Sequence, residues 1–209
     1  MGYKTVSGES ESSFVEKKSE FIGHLLHTVN EEEAIAFIER IRAENRKAKH
    51  NVYAYILRDG NASRYSDDAE PQGTAGVPVL EVLRKEGFTD VCCVVTRYFG
   101  GILLGTGGLA RAYTQAAKQA VEAAVIRDMR ECREISFSCE YPLYGSITNI
   151  LPSFGIKTLS ADFADCVDMK LLCSEDQVDG FLAALTDLSN GRIDHKTGDV
   201  KFADMSQSS

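Results

Sequence analysis

Apolar and polar positions along the first half of the chain alternate between two periods. Phe21–Val29 has the short apolar run of a strand. Asn30 then stands as a helix N-cap, with Glu33 as its capping-box partner. Ala34, Ile35, Phe37, Ile38 and Ile41 recur at helical spacing and predict one apolar stripe. Val52–Leu57 alternates as a strand, and Asp59-Gly60-Asn61 is a turn that would fold it into a hairpin. Val77–Lys85 predicts a short helix with Pro78 in its first turn and Gly87 past its end. Val91–Arg97 reads as a buried central strand. A long helix opens at Gly108, runs to about Arg130, and buries Leu109, Ala112, Ala116, Ala120 and Ala124.

A new pattern begins after Arg130–Arg133, which places a boundary between a first domain, 1–131, and a second, 132–205. The second reads Ile135–Tyr141, Leu143–Ser153, Ile156–Phe163, Val167–Cys173, Glu175–Leu188 and Ile193–Phe202 as β-α-β-β-α-β, the order of a ferredoxin-like fold. The tail from Ser206 is expected to fray. The fold class is therefore α+β in two domains.

Charge separates the two parts. Residues 1–130 carry a net −1 and residues 131–209 a net −7, for −8 overall. Phosphate backbones are held by clustered positive charge, so any RNA partner belongs to the first domain. No apolar stretch is long enough to span a membrane, and the start of the chain lacks a signal-peptide core. A cytoplasmic protein is expected. The six cysteines lack metal-site spacing and read as reduced, mostly buried thiols; no metal and no cofactor is expected.

Two loops carry the candidate chemistry. After the central strand, Arg97-Tyr98-Phe99-Gly100-Gly101 leads through Gly105-Thr106-Gly107-Gly108 into a helix that carries Arg111. A glycine loop feeding a helix N-terminus is suited to cradle an anion, here closed by Arg97, Thr106 and Arg111; it is equally a tight strand-to-helix connection. The spacing is neither a Walker A nor a Rossmann fingerprint. The other loop holds Asp67, Asp68 and Glu70 beside Pro71 and Gly73. Crowded carboxylates can divide acid and base roles or hold a cation. Asp and Ser also start turns by bonding their own backbone, and that structural reading is preferred. Arg40, Arg42, Arg46, Lys47, Lys49 and His50 form the main basic cluster, next to Tyr53 and Tyr55. His50 reads as a hydrogen-bonded structural residue or a general base. His24 and His27 face opposite sides of their strand.

These same residues resemble a known family. Arg97-Tyr98-Phe99-Gly100-Gly101 with Leu104-Gly105, the block Ser66–Pro78, Lys17-Lys18-Ser19-Glu20-Phe21 and Lys49-His50-Asn51-Val52-Tyr53-Ala54-Tyr55 stand in the order found in the YigZ/IMPACT family. The resemblance implies an N-terminal α/β domain like the second domain of small-subunit ribosomal protein five. It implies a C-terminal ferredoxin-like domain similar to the last domain (domain V) of elongation factor G. It implies no settled enzymatic activity. Eukaryotic members of the family restrain the kinase that senses uncharged transfer RNA, so a non-catalytic, translation-associated regulator is implied, binding RNA, the ribosome or a translation factor through the first domain. The contact surface would combine Arg46–His50 with the Asp67–Thr74 loop. The second reading is an enzyme acting on a phosphorylated or nucleotide-like small molecule. It would use the glycine loop for phosphate and Asp67, Asp68 or Glu70 for metal or acid–base work.

Overall fold

A computed structural model describes residues 2–206, so Gln207, Ser208 and Ser209 of the tail lie outside the described residues. The chain divides into two compact units, Tyr3–Arg127 and a second from Asp128 onward.

The first unit is built on a five-stranded sheet, in the order β2 (Glu9–Glu16), β3 (Ser19–His27), β6 (Val91–Tyr98), β4 (His50–Leu57), β5 (Ala62–Ser66). Every neighbouring pair is antiparallel. A short β1 (Tyr3–Ser7) precedes it, its Lys4 bonded to the backbone of Gly87 and Thr89.

The period of two sorts the buried residues of β4 and β6 onto two faces. Val52, Ala54, Val91, Cys93 and Val95 pack under α2 (Gly76–Glu86) and α3 (Thr106–Glu122). Tyr55, Leu57, Cys92 and Val94 pack under α1 (Glu31–Glu44), against Ala34, Phe37, Ile38 and Ile41. The capping residues of α1 behave as the sequence indicates. Asn30 Oδ1 accepts from the Glu33 N–H at 2.8 Å, and the Glu33 carboxylate accepts from Val29 N–H at 3.0 Å. Ile35, expected in the stripe, is half exposed, because the 3.6-residue period carries it off the sheet-facing side.

Two parallel crossovers interlock in this antiparallel sheet. β3 passes through α1 to β4, and β5 passes through α2 to β6; each jumps one strand. The two crossovers are related by a half-turn in the sheet plane, so equal handedness would put both helices on one face. They lie on opposite faces. One of the two is therefore left-handed, against the strong preference for right-handed crossovers.

α3 lies close to β3 because small residues permit it. A Cβ on Gly23 would stand 2.6 Å from the Ala116 carbonyl oxygen and 3.1 Å from Ala120 Cβ. α3 ends at Glu122 rather than near Arg130, and β7 (Val125–Cys139) follows at once. From Arg127 to Glu134 charged pairs separate Met129 and Cys132 with no period of two, and ladder pairing overrides helix propensity there. β1 and β2 are not anticipated by the sequence reading. β2 is mostly Ser and Glu, its apolar content confined to Phe14 and Val15 at its end.

In the second unit β7 pairs with β9 (Val167–Ser174), and β9 with β8 (Lys157–Phe163). On its other side β7 pairs with β10 (His195–Thr197) and β11 (Lys201–Asp204). Counting β10 and β11 as one broken strand gives the ferredoxin-like order 4-1-3-2. The expected strand Ile193–Phe202 is thus split: the register against β7 slips by one residue around Gly198–Val200, which is a bulge. α4 (Tyr141–Ile150) and α5 (Val178–Ser189) cover one face, burying Ile147, Phe181 and Leu185 against Ile135, Phe137, Met169 and Leu171. All six cysteines are free thiols, five of them buried.

Two outcomes follow from this packing. Gly23→Ala pushes α3 off β3 and should destabilise the protein by about 1–3 kcal/mol, read from urea unfolding; an unchanged midpoint would mean the helix shifts freely. His24 is buried on β3, with Nδ1 3.3 Å from a Glu11 carboxylate oxygen and neither ring nitrogen hydrogen-bonded. Burial lowers its pKa below 6.5, against the pull of Glu11, Glu9 and Glu44. The unfolded chain then takes up the proton first, so this contribution to stability is intact above 6.5 and lost as pH falls below it. His24→Leu should flatten the fall in unfolding free energy between about pH 7 and pH 5.

Candidate functional site

Arg97 follows Val91, Cys93 and Val95 at every second position of β6, so the pleat turns its side chain inward beneath α3. Its Nη1 donates to Glu70 Oε1 at 2.6 Å, and the two side chains are only 6% and 4% exposed. The hydroxyl of Tyr113, from α3, donates to the same oxygen at 2.9 Å. Burial, reinforced by the Glu70 charge, raises the Tyr113 pKa far above its ordinary value, so the phenol remains a donor at neutral pH. His50 Nε2 stands 3.9 Å from the shared Glu70 oxygen, and His50 Nδ1 lies 2.9 Å from the Asp68 carbonyl oxygen. The guanidinium of Arg97 lies 5.5 Å from the Phe21 ring centroid and 5.3 Å from that of Phe99. Its Nη2 reaches Ser19 Oγ at 3.5 Å.

The three neighbouring carboxylates point in different directions. Asp67 accepts from the backbone N–H groups of Gly73 (2.8 Å), Ala75 (3.0 Å) and Gly76 (2.8 Å), and so caps α2 from a distance. Asp68 accepts from the Asn51 N–H at 2.6 Å and from Arg42 Nη2 at 3.1 Å, fastening the loop to the start of β4 and the end of α1. Asn51 in turn accepts from the Thr96 hydroxyl at 2.8 Å. Asp68 and Ala69 sit at φ +42° and +68°, left-handed conformations that cost L-residues about 1 kcal/mol or more apiece. These bonds hold them there. Among the described residues no group of three His, Cys, Asp or Glu side chains is placed to hold a metal ion.

The glycine loop is rooted in the same place. The Gly100 N–H donates to Ser19 Oγ at 3.1 Å, and a Cβ at this position would collide with the Lys18 carbonyl. Gly105, at φ +71°, turns the chain into α3. Gly101, Thr106 and Gly107 are exposed and Gly108 half-buried. Arg111 lies on the exposed face of α3, its guanidinium near Gly107, whereas Arg97 is enclosed on Glu70. Lys49 is exposed next to His50.

The structure therefore joins His50, Asp68, Glu70 and Arg97 in one knot, roots Gly100 beside it, and leaves Lys49, Thr106, Arg111, Gly101, Gly105 and Gly107 on the outside. Tyr113, Ser19, Asn51 and Arg42 join the knot as well. Ser19 and Asn51 lie within two of the ordered blocks, whose strands meet the end of β6, whereas Arg42 and Tyr113 lie outside every block and carry no local signal.

Residues 17–121 match the family model of the Impact N-terminal domain, and residues 137–192 match a domain of unknown function, DUF1949. The chain belongs to the IMPACT family. It is 36% identical over 201 residues to the IMPACT family member YvyE of Bacillus subtilis, covering 96% of this chain and 93% of that one. It is 37% identical over 180 residues to the IMPACT family member YigZ of Escherichia coli, covering 85% and 88%. A crystal structure described as that of a hypothetical protein superposes with a TM-score of 0.59 at 34% identity, covering 93% of this chain and 96% of that one. The two-domain α+β architecture of this IMPACT-family chain agrees with the expectation from its sequence. No described helix is long and apolar enough to cross a membrane.

The buried ion pair gives a double-mutant test. Glu70→Ala leaves Arg97 buried and unpaired, and should cost about 3–5 kcal/mol of unfolding free energy. Glu70→Leu combined with Arg97→Met should recover most of that loss. Additive losses in urea titrations would show that the two side chains are not coupled.

Proposed function

We propose that this IMPACT-family protein is a non-catalytic, translation-associated regulator whose first unit binds RNA, the ribosome or a translation factor. One observation carries the reading: the carboxylates of the site are all engaged by donors, whereas several cations around it are exposed and unpaired. Asp67, Asp68 and Glu70 are each engaged by two or more donors that hold the loop in place. A general base or metal ligand needs a free lone pair facing substrate. Lys17, Lys18, Lys47, Lys49 and Arg111 are exposed and form no ion pair among the described residues. Arg40, Arg42, Arg84 and Arg97 of the same unit are all ion-paired.

The free cations share one end of the sheet. Glu16 pairs with Ser19 and Glu20 with Tyr98, so the Lys17-Lys18 turn adjoins the end of β6; His50 pairs with Arg97, so Lys49 adjoins it too. An end with open positive charge over a rigid acidic interior is suited to bind an anionic partner. It takes over from the Asp67–Thr74 loop, whose carboxylates are already engaged, as the expected contact surface, with Lys47 and Lys49 retained.

Gradient sedimentation of native lysate tests this. The wild type should travel with ribosomal particles at low salt and leave them as salt rises. The combined Lys17→Glu, Lys18→Glu, Lys49→Glu variant should stay at the top. A wild-type protein confined to the top at every salt concentration would count decisively against the reading.

A further inference from the structure

The loop between β6 and α3 presents apolar side chains where a soluble surface usually hides them. Phe99 is 48% exposed, Ile102 41% and Leu103 82%. The loop is held at both ends. Gly100 is bonded to Ser19 Oγ and wedged against Lys18, and Phe99 lies over the Arg97 guanidinium. At the far end Leu104 packs against the core beneath α3. The tip therefore stands in a fixed place, and binding through it forfeits little conformational entropy.

Its rim is cationic. Lys17 and Arg111 line, with Leu104 and Gln115, a cleft of about 190 Å³ at the foot of the loop. Neither is ion-paired among the described residues, and Lys18 beside them is also free. Glu16 is the single acidic residue in that lining. The complement of an apolar tip inside a cationic rim is an apolar pocket edged with Asp and Glu, which a protein surface supplies. An RNA backbone would be matched by the cations alone and has no use for an aliphatic side chain as exposed as Leu103.

We propose that Phe99, Ile102 and Leu103 form the anchor by which this surface docks into an acid-rimmed apolar pocket of a partner protein, with Lys17, Lys18 and Arg111 setting its orientation. The inference rests on the binding reading above and narrows its partner to a protein.

The test uses the full chain with benzoylphenylalanine in place of Leu103, photolysed in cells. The expected result is a cross-link to one protein, at an apolar position flanked by Asp or Glu. That protein, purified, should bind the wild-type chain. Leu103→Asp should weaken binding about tenfold or more, the worth of one buried leucine, without lowering the melting temperature. Lys17→Glu with Arg111→Glu should weaken it and remove most of its salt dependence. A cross-link to RNA or lipid, no cross-link from position 103, or a purified partner held equally well by Leu103→Asp would overturn the proposal. Ribosome association that needs the lysines and ignores Leu103 would overturn this inference alone and leave the broader reading standing.

Discussion

A carboxylate removed from water must be given donors, and Glu70 receives them from two separate elements. Arg97 reaches it from the end of the central strand and Tyr113 from α3. The loop between β5 and α2 has no regular structure of its own, and this buried charge fixes where it lies. Asp68 adds a second attachment to β4 and α1, and Asp67 a third to α2. Five elements of the first unit are thus tied through nine residues of loop, Asp67 to Ala75. Such a buried network is demanding: satisfied, it specifies one arrangement, and with one partner missing it becomes a liability.

The same geometry separates carboxylates that stand side by side in the sequence. Three acids in four residues suggest shared chemistry, but successive backbone turns at Asp68 and Ala69 send each carboxylate elsewhere. The surface beside it carries Lys17, Lys18 and Lys49 and the apolar Phe99, Ile102 and Leu103, together with Glu16 and Glu20. The boundary between enclosed acid and open base runs along the end of β6, where Arg97 faces in and Phe99 faces out.

Much of the fold was legible. Asn30 and Glu33 gave the start of α1, and the valines and cysteines of β6 gave a strand buried on both faces. The second unit was readable as a β-α-β-β-α-β order because its apolar residues keep strict periods. The inward turn of Arg97 was also available, since it lies in step with Cys93 and Val95 rather than with Cys92 and Val94. Other features were not. β2 is a polar edge strand, defined by its partner β3 rather than by its own pattern. The end of α3 depends on pairing of β7 across the chain. The cap of α2 by Asp67 spans nine residues, beyond any local capping signature. The directions of Asp68 and Glu70 are set by contacts with residues 17 to 43 positions away in the chain.

The interlocked crossovers also impose an order on assembly. β3 and β4 are not neighbours; the gap between them is filled by a strand that comes more than thirty residues after β4 ends, at Val91–Tyr98. Until that strand has left the ribosome, both of its future partners have an unpaired edge, and neither helical face has a continuous surface to cover. Synthesis of the first two-thirds of this unit therefore yields no stable sheet, and closure comes in one late step that joins distant pairings. β6 is the keystone of the unit in time as well as in space, and the loop that bears the exposed apolar tip is the next segment to emerge.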